Sequence, residues 1–321
     1  MDGHAAPAGR QGSRVAVIDI GSNSTRLMVA DVGRDESIHE LVRETRVTRL
    51  GRGVDLSGKL SDDGIESVCA AIADYMGTVH PLAPEHTVAI ATSAVRDAAN
   101  GEAFLAELRE RFPLSPRVID GETEARLTFT GATAARPDAD RCILVVDIGG
   151  GSTELVAGCD REVDFWASMQ AGVVRQTERH ISKDPPDPAE LEELAGEIRS
   201  HVIEEISAAS PPRPDVGVAV AGTPTSLAAI ELGLEVYDAD QVHGHRLTMR
   251  SIQRLLARLS SIPTSERFQV VGLKPERAPT IVAGVVILIQ VMRAFGLTEI
   301  EVSERDILHG AALDAVRTPV R

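Results

Sequence analysis

Residues 145–156 read VVDIGGGSTELV: two apolar runs joined by three consecutive glycines, entered through Asp147 and left through Ser152, Thr153 and Glu154. Glycine inside regular structure costs roughly 0.5–1 kcal/mol relative to alanine, so three in a row call for a local reason, usually close approach of main chain to a ligand. Residues 17–29, VIDIGSNSTRLMV, lie on VVDIGGGSTELVA without a gap. Val17, Asp19, Ile20, Gly21, Ser24, Thr25 and Leu27 then face Val145, Asp147, Ile148, Gly149, Ser152, Thr153 and Leu155. The copies stand 128 residues apart, too far for a solenoid or propeller repeat but natural for a duplicated domain.

Outward from these loops the chain alternates β-rich and helical stretches. The first half is read as two strands within 14–31, a strand over 38–49 and a helix over 61–80, capped by Ser61 with Ile65, Val68, Ala71, Ile72 and Met76 on one face. A buried strand over 87–91, a helix over 101–112 and a strand over 117–119 lead into GETEAR. The second half gives two strands within 142–159, a third over 165–169, an acidic amphipathic helix over 189–209 and a buried strand over 216–221 running into AGTPTSL. Helices over 251–260, 279–295 and 307–316, with a strand over 299–303, complete it. Strands followed by helices, in two copies, predict two α/β domains with mixed sheets and a ligand cleft between them.

Composition narrows the function classes. The 321 residues exceed a usual single domain, and 43% hydrophobic with 25% charged is ordinary for a globular protein whose core is aliphatic, since aromatics are only 3%. A formal net charge of −15 argues against general adhesion to nucleic acid or an anionic membrane, so any polyanion must be bound locally. Cys69, Cys142 and Cys159 lack metal-type spacing and are expected to be free, buried thiols in a reducing, cytoplasmic compartment. MDGHAAPAGRQGSR has no apolar h-region and is read as a frayed tail. The twelve-residue apolar run 281–292 suits a buried helix better than a membrane span.

DIGGGST lacks the Gly-Lys-Ser/Thr of a Walker loop, and a strand-like run follows where a dinucleotide fingerprint would open a helix. What remains is a strand-loop-strand phosphate clamp: Gly149, Gly150 and Gly151 offer N–H groups, and Ser152 and Thr153 add hydroxyls. Asp147 does not suit direct contact with phosphate, so its task is to hold a metal or its waters. A glycine hairpin without a ligand is the plain alternative, and the second copy weighs against it.

Paired DxGxxS/T loops are similar to those that clamp nucleotide phosphates in the superfamily of actin, sugar kinases and heat-shock ATPases. More narrowly, VIDIGSNSTRLMV, ATSAVRDA, IDGETEARLTFTG, VVDIGGGSTELV, AGTPTSLAAI and SERDILHGAALD, in that order, resemble the exopolyphosphatase/guanosine pentaphosphate phosphohydrolase family over nearly the whole chain, in its short two-domain form. The resemblance implies two ribonuclease H-like, actin-like domains, 1–130 and 131–304, with a C-terminal helix at about 305–321 returning to the first. It also implies a homodimer and a Mg2+-dependent hydrolase of terminal phosphate from inorganic polyphosphate, or alternatively of the 5′ γ-phosphate of guanosine pentaphosphate. A kinase-like ATPase and a non-catalytic phosphate sensor are further alternatives.

The resemblance also assigns roles. Glu124, the second acidic residue of GETEAR, activates the attacking water, whereas on sequence alone Glu122 and Glu124 are ordinary first-turn glutamates. Asp147 and Glu154 lie near the metal, with Asp19 the corresponding contact from the first half. Strand alternation separates Glu154 from Thr153 and Leu155, so it faces either the cleft or solvent. Gly21, Ser22, Asn23 and Ser24 form the first phosphate loop. Arg96 is a candidate phosphate fork or a partner of Asp97 or Glu102. Gly222 and Thr223 offer a second anion contact at a helix start. Arg43, Arg46, Arg49 and Arg52 are the densest candidate basic track, and His243 and His245 are weak metal candidates. Pro279, Leu308 and His309 depart from the family pattern, where Asp commonly follows Arg-Ala and Arg-Glu precedes the glycine.

Overall fold

The structure is a computed structural model that describes residues 12–134, 136–138 and 141–317; most of the N-terminal tail and the last four residues lie outside them. The first sheet contains β1 (Gly12–Ile20), β2 (Ser24–Gly33), β3 (Ile38–Val47), β4 (His86–Ala91) and β5 (Arg117–Val118), ordered β3-β2-β1-β4-β5. The second contains β6 (Ile143–Ile148), β7 (Thr153–Cys159), β8 (Glu162–Met169), β9 (Val216–Val220), β10 (Arg246–Thr248) and β11 (Glu299–Val302), ordered β10-β11-β9-β6-β7-β8. Read from β8, the second order repeats the first and adds β10 at its edge.

Both sheets are mixed, as expected from the sequence. β1 pairs antiparallel with β2 and parallel with β4, and β6 does the same with β7 and β9. Flanked on both sides, β1 from Val15 onward and the whole of β6 are buried, which is why they read as apolar runs rich in Val and Ile. Each ends at its aspartate loop, so the duplicated loops occupy equivalent corners of the two sheets.

Helices close the sheets. Ser61 caps Asp62–Leu82 by accepting the N–H of Gly64, and Val68, Ala71 and Ile72 pack on β1 and β2 residues. Pro188–Ala209 starts with a capping box from Asp187 and Glu190 and buries Leu194, Ile198 and Val202 beside the Ile281–Ala294 helix, which is buried from Ile281 to Met292. Two helices join the halves. Gly121–Thr133 buries Ala125, Phe129 and Ala132 against β6, β7 and β9 residues, whereas Ile307–Arg317 lies on β1, β2 and β4. They cross closely at Gly131 and Gly310, where an added Cβ would fall 1.9 Å from the Asp306 carbonyl oxygen and 1.8 Å from that of Leu127.

The cysteine expectation needs correction. Cys69 is free and buried, but Cys142 and Cys159 form a disulfide. β6 and β7 pair Ile143 with Gly158, so the next residues outward stand opposite each other, a juxtaposition that their spacing in sequence does not reveal. The argument from free thiols to a reducing compartment therefore does not carry over. The helix Val173–His180 and β10 were not anticipated. Among the described residues no helix is long and apolar enough to cross a membrane.

Candidate active site

The two loops face each other across a cleft. In each, the first glycine N–H closes a turn onto a serine carbonyl: Gly21 to Ser24 and Gly149 to Ser152, both at 3.0 Å. A Cβ on Gly150 would lie 2.9 Å from Asn23 Cβ and N, and one on Gly151 would lie 2.6 Å from Ser93 Oγ. The glycines thus permit loop-to-loop approach, a steric reason that complements the freedom expected from sequence.

The cleft is lined by Asp19, Gly21, Ser22, Asn23, Ser24, Glu124, Asp147, Gly149, Gly150, Ser152, Glu154 and Gly222 from the candidate set. Gly151 lies just behind it, beside Ser22 and Arg175. Thr153 turns inward and donates to the Ala171 carbonyl at 2.7 Å, and Thr223 is buried against Gly284. Arg96 stands behind Glu124, donating from Nη1 to its Oε2 at 3.2 Å and to the Ile119 carbonyl at 3.0 Å.

Glu124 is in the first turn of its helix, which Asp120 caps by accepting the N–H of Thr123 at 2.8 Å. Glu122 at the preceding turn position is exposed. Burial first, then the Glu154 charge, lift Glu124 well above the usual carboxylate range against the pull of Arg96. Glu154 is 1% exposed, accepts a hydrogen bond from Ser168 Oγ at 2.9 Å, and is raised by burial. Asp147 is pushed up to about 8 by burial and then by Glu154, its direct neighbour across the β6–β7 ladder.

Several site residues went unnoticed in the sequence. Arg26, opposite Asp19 across β1–β2, donates to Asp19 Oδ2 from Nε and Nη2 at 2.9 and 2.6 Å and also pairs with Asp306. Burial works against the Asp306 carboxylate, but Arg26, a hydrogen bond with His309 and Arg43 hold it below its ordinary range. Thr92, Ser93 and Arg277 also line the cleft. The Arg277 guanidinium covers Gly222 and has no ion pair among the described residues; burial and then Arg26 lower its pKa. Strand alternation could have flagged Arg26, but Asp306 is brought in by the distant C-terminal helix.

The basic series does not form one track. Arg43 pairs with Glu304 and Asp306, and Arg46 pairs with Asp74. Arg43 lines an outer groove that continues from the cleft past Arg277 toward Tyr237 and Lys274; Arg46, Arg49 and Arg52 do not. His243 Nδ1 accepts the Glu304 N–H, and His245 pairs with Glu231, so the two histidines face different partners.

The donor set suits a hard divalent cation. The Asp147 side chain has no hydrogen-bond or ion-pair partner among the described residues, Asp19 Oδ1 is buried without one, and Glu154 adds a third carboxylate lining the cleft. Among the described residues no three Asp, Glu, His or Cys side chains are grouped so as to hold a metal ion by themselves.

Comparison with known proteins agrees with this geometry. Residues 28–318 match the Ppx/GppA phosphatase family. Exopolyphosphatase 2 of Mycobacterium tuberculosis is 35% identical over 314 residues, spanning 94% of this chain and 98% of that protein. The crystal structure of an exopolyphosphatase-like protein superposes with a TM-score of 0.89 at 33% identity, covering 96% of this chain and 98% of the other. An Aquifex aeolicus Ppx/GppA family member superposes at 0.81 with 30% identity, covering 96% and 99%. The expected two-domain, actin-like α/β architecture is thus the one found.

Proposed function

Because the chain belongs to the Ppx/GppA phosphatase family, we propose that its cleft hydrolyses the terminal phosphoanhydride of inorganic polyphosphate. The observation that carries this reading is the buried Glu124 carboxylate beside two apposed phosphate-type loops. The terminal phosphate lies between the loops, facing their N–H groups and the unpartnered Asn23 Nδ2, with Arg277 contributing positive charge. Glu124 takes a proton from the attacking water, a task suited to a carboxylate whose basicity burial has raised. Arg96 holds Glu124 in place. Asp147, Glu154 and Asp19 are the residues that would hold Mg2+, which would offset charge developing on the phosphoryl oxygens.

On this reading, domain I comprises 1–130 with the C-terminal helix and domain II comprises 131–304, and the protein works as a homodimer. A second reading, release of the 5′ γ-phosphate of guanosine pentaphosphate by the same residues, is favoured by the outer groove. There Tyr237, with Lys274 Nζ 4.3 Å from its ring centroid, could meet a nucleoside beyond the phosphates. Phosphate release from polyphosphate of defined length, guanosine pentaphosphate and ATP, with Mg2+ or chelator, tests both. Mg2+-dependent release from polyphosphate is the expected result. Release confined to pentaphosphate moves the assignment to the second reading, and release from ATP alone overturns both.

A further inference from the structure

The second phosphate loop is held from behind. Gly172, Val173 and Val174, at the start of the Val173–His180 helix, donate their N–H groups to the carbonyls of Gly151, Gly149 and Gly150 at 3.0, 2.9 and 2.9 Å. In a trans peptide the C=O and the following N–H point to opposite sides. Drawing these three carbonyls toward the helix therefore aims the N–H groups of Gly150, Gly151 and Ser152 the other way.

One side chain extends this hold into the other half of the protein. Arg175, 13% exposed at its side chain, donates from Nε to the Gly151 carbonyl at 2.9 Å. Its fork reaches Asp55 at 2.5 Å and Asp97 at 3.0 Å. Asp97 ends the Ser93–Asp97 helix, whose Ser93 hydroxyl bonds the Ser22 hydroxyl of the first loop at 2.9 Å. Asp55 belongs to Val54–Ser57, which follows Gly51, the donor to the Ser22 carbonyl at 2.7 Å. Arg175 thus touches the second loop and both segments that brace the first.

We propose that Arg175 is a positioning residue, tying the two loops into the spacing that one phosphate group spans. This rests on reading the cleft as a phosphate site, although Arg175 is not among the residues lining that cleft. A rigid planar fork presents Nε, Nη1 and Nη2 in fixed directions to acceptors on three segments, an arrangement that the single nitrogen of a lysine does not reproduce.

The test combines amide hydrogen exchange at residues 172–174 and 54–58 with steady-state phosphate release from polyphosphate. Arg175→Ala is expected to speed exchange about tenfold in both segments and to lower kcat/KM about tenfold, mainly through KM. Arg175→Lys is expected to keep protection at 54–58 through its charge while losing it at 172–174. Asp97→Asn, which leaves the Gly151 bond intact, gives the smaller kinetic effect. Unchanged exchange at 172–174 in both Arg175 variants, or a uniform rise across the chain, overturns the proposal. If the wild-type protein releases phosphate from no phosphoanhydride, the exchange data still decide the role of Arg175 and the failure falls on the functional reading alone.

Discussion

The two aspartate loops share their strand order and their glycine-to-serine turn, yet their charges differ at one aligned position. Across the β1–β2 ladder Asp19 faces Arg26; across the β6–β7 ladder Asp147 faces Glu154. In the first half the aspartate is neutralised by a guanidinium that also holds Asp306. In the second, two carboxylates share a buried site: burial raises both, and the Glu154 charge raises Asp147 and Glu124 further. The aligned loops thus carry two charge patterns: in one half a guanidinium holds the aspartate, and in the other Asp147 and Glu154 face each other with no ion pair among the described residues.

The contrast can be broken from either side. Arg26→Met leaves Asp19 buried without its cation and Asp306 with only Arg43 and His309, and is expected to cost about 3–5 kcal/mol in urea unfolding at neutral pH. Glu154→Gln at the aligned position removes a repulsive charge and is expected to cause no loss at pH 8. Equal losses would show that the two positions play the same structural part.

A smaller effect sharpens the comparison through pH. With Asp147 raised from 3.8 to about 8, the folded chain binds more protons than the unfolded chain between those values, so stability falls as pH rises through that window. Asp147→Asn is expected to flatten this slope and to raise Tm at pH 8 by about 3–6 °C. Mg2+ should restore much of the wild-type Tm at pH 8 and do little for the variant. A wild-type protein insensitive to Mg2+ across this range would contradict the proposed cation pocket.

Much of the fold was legible because short periodicities encode it. The buried runs of β1 and β6, the Ser61 cap and the apolar stripe of Pro188–Ala209 all lie where their patterns place them. The loops, Glu124 and Glu154 were legible from the repeat and the resemblance together. Charge pairing was less visible, because it depends on ladder register and on contacts between distant segments, as in Arg26–Asp306. Hydroxyl direction was also hidden: Thr153 fits the phosphate-loop pattern but spends its proton on Ala171. The Cys142–Cys159 bridge was missed because opposition across a hairpin, not spacing, makes it possible.

The most direct measurement is Glu124→Gln, followed by polyphosphate binding in a calorimeter and by phosphate release under the same Mg2+ conditions. The account predicts retained binding with release slowed about 10²–10⁴-fold, the usual worth of a positioned general base. Release at the wild-type rate would contradict the central claim that this buried carboxylate activates water at the mouth of the two loops.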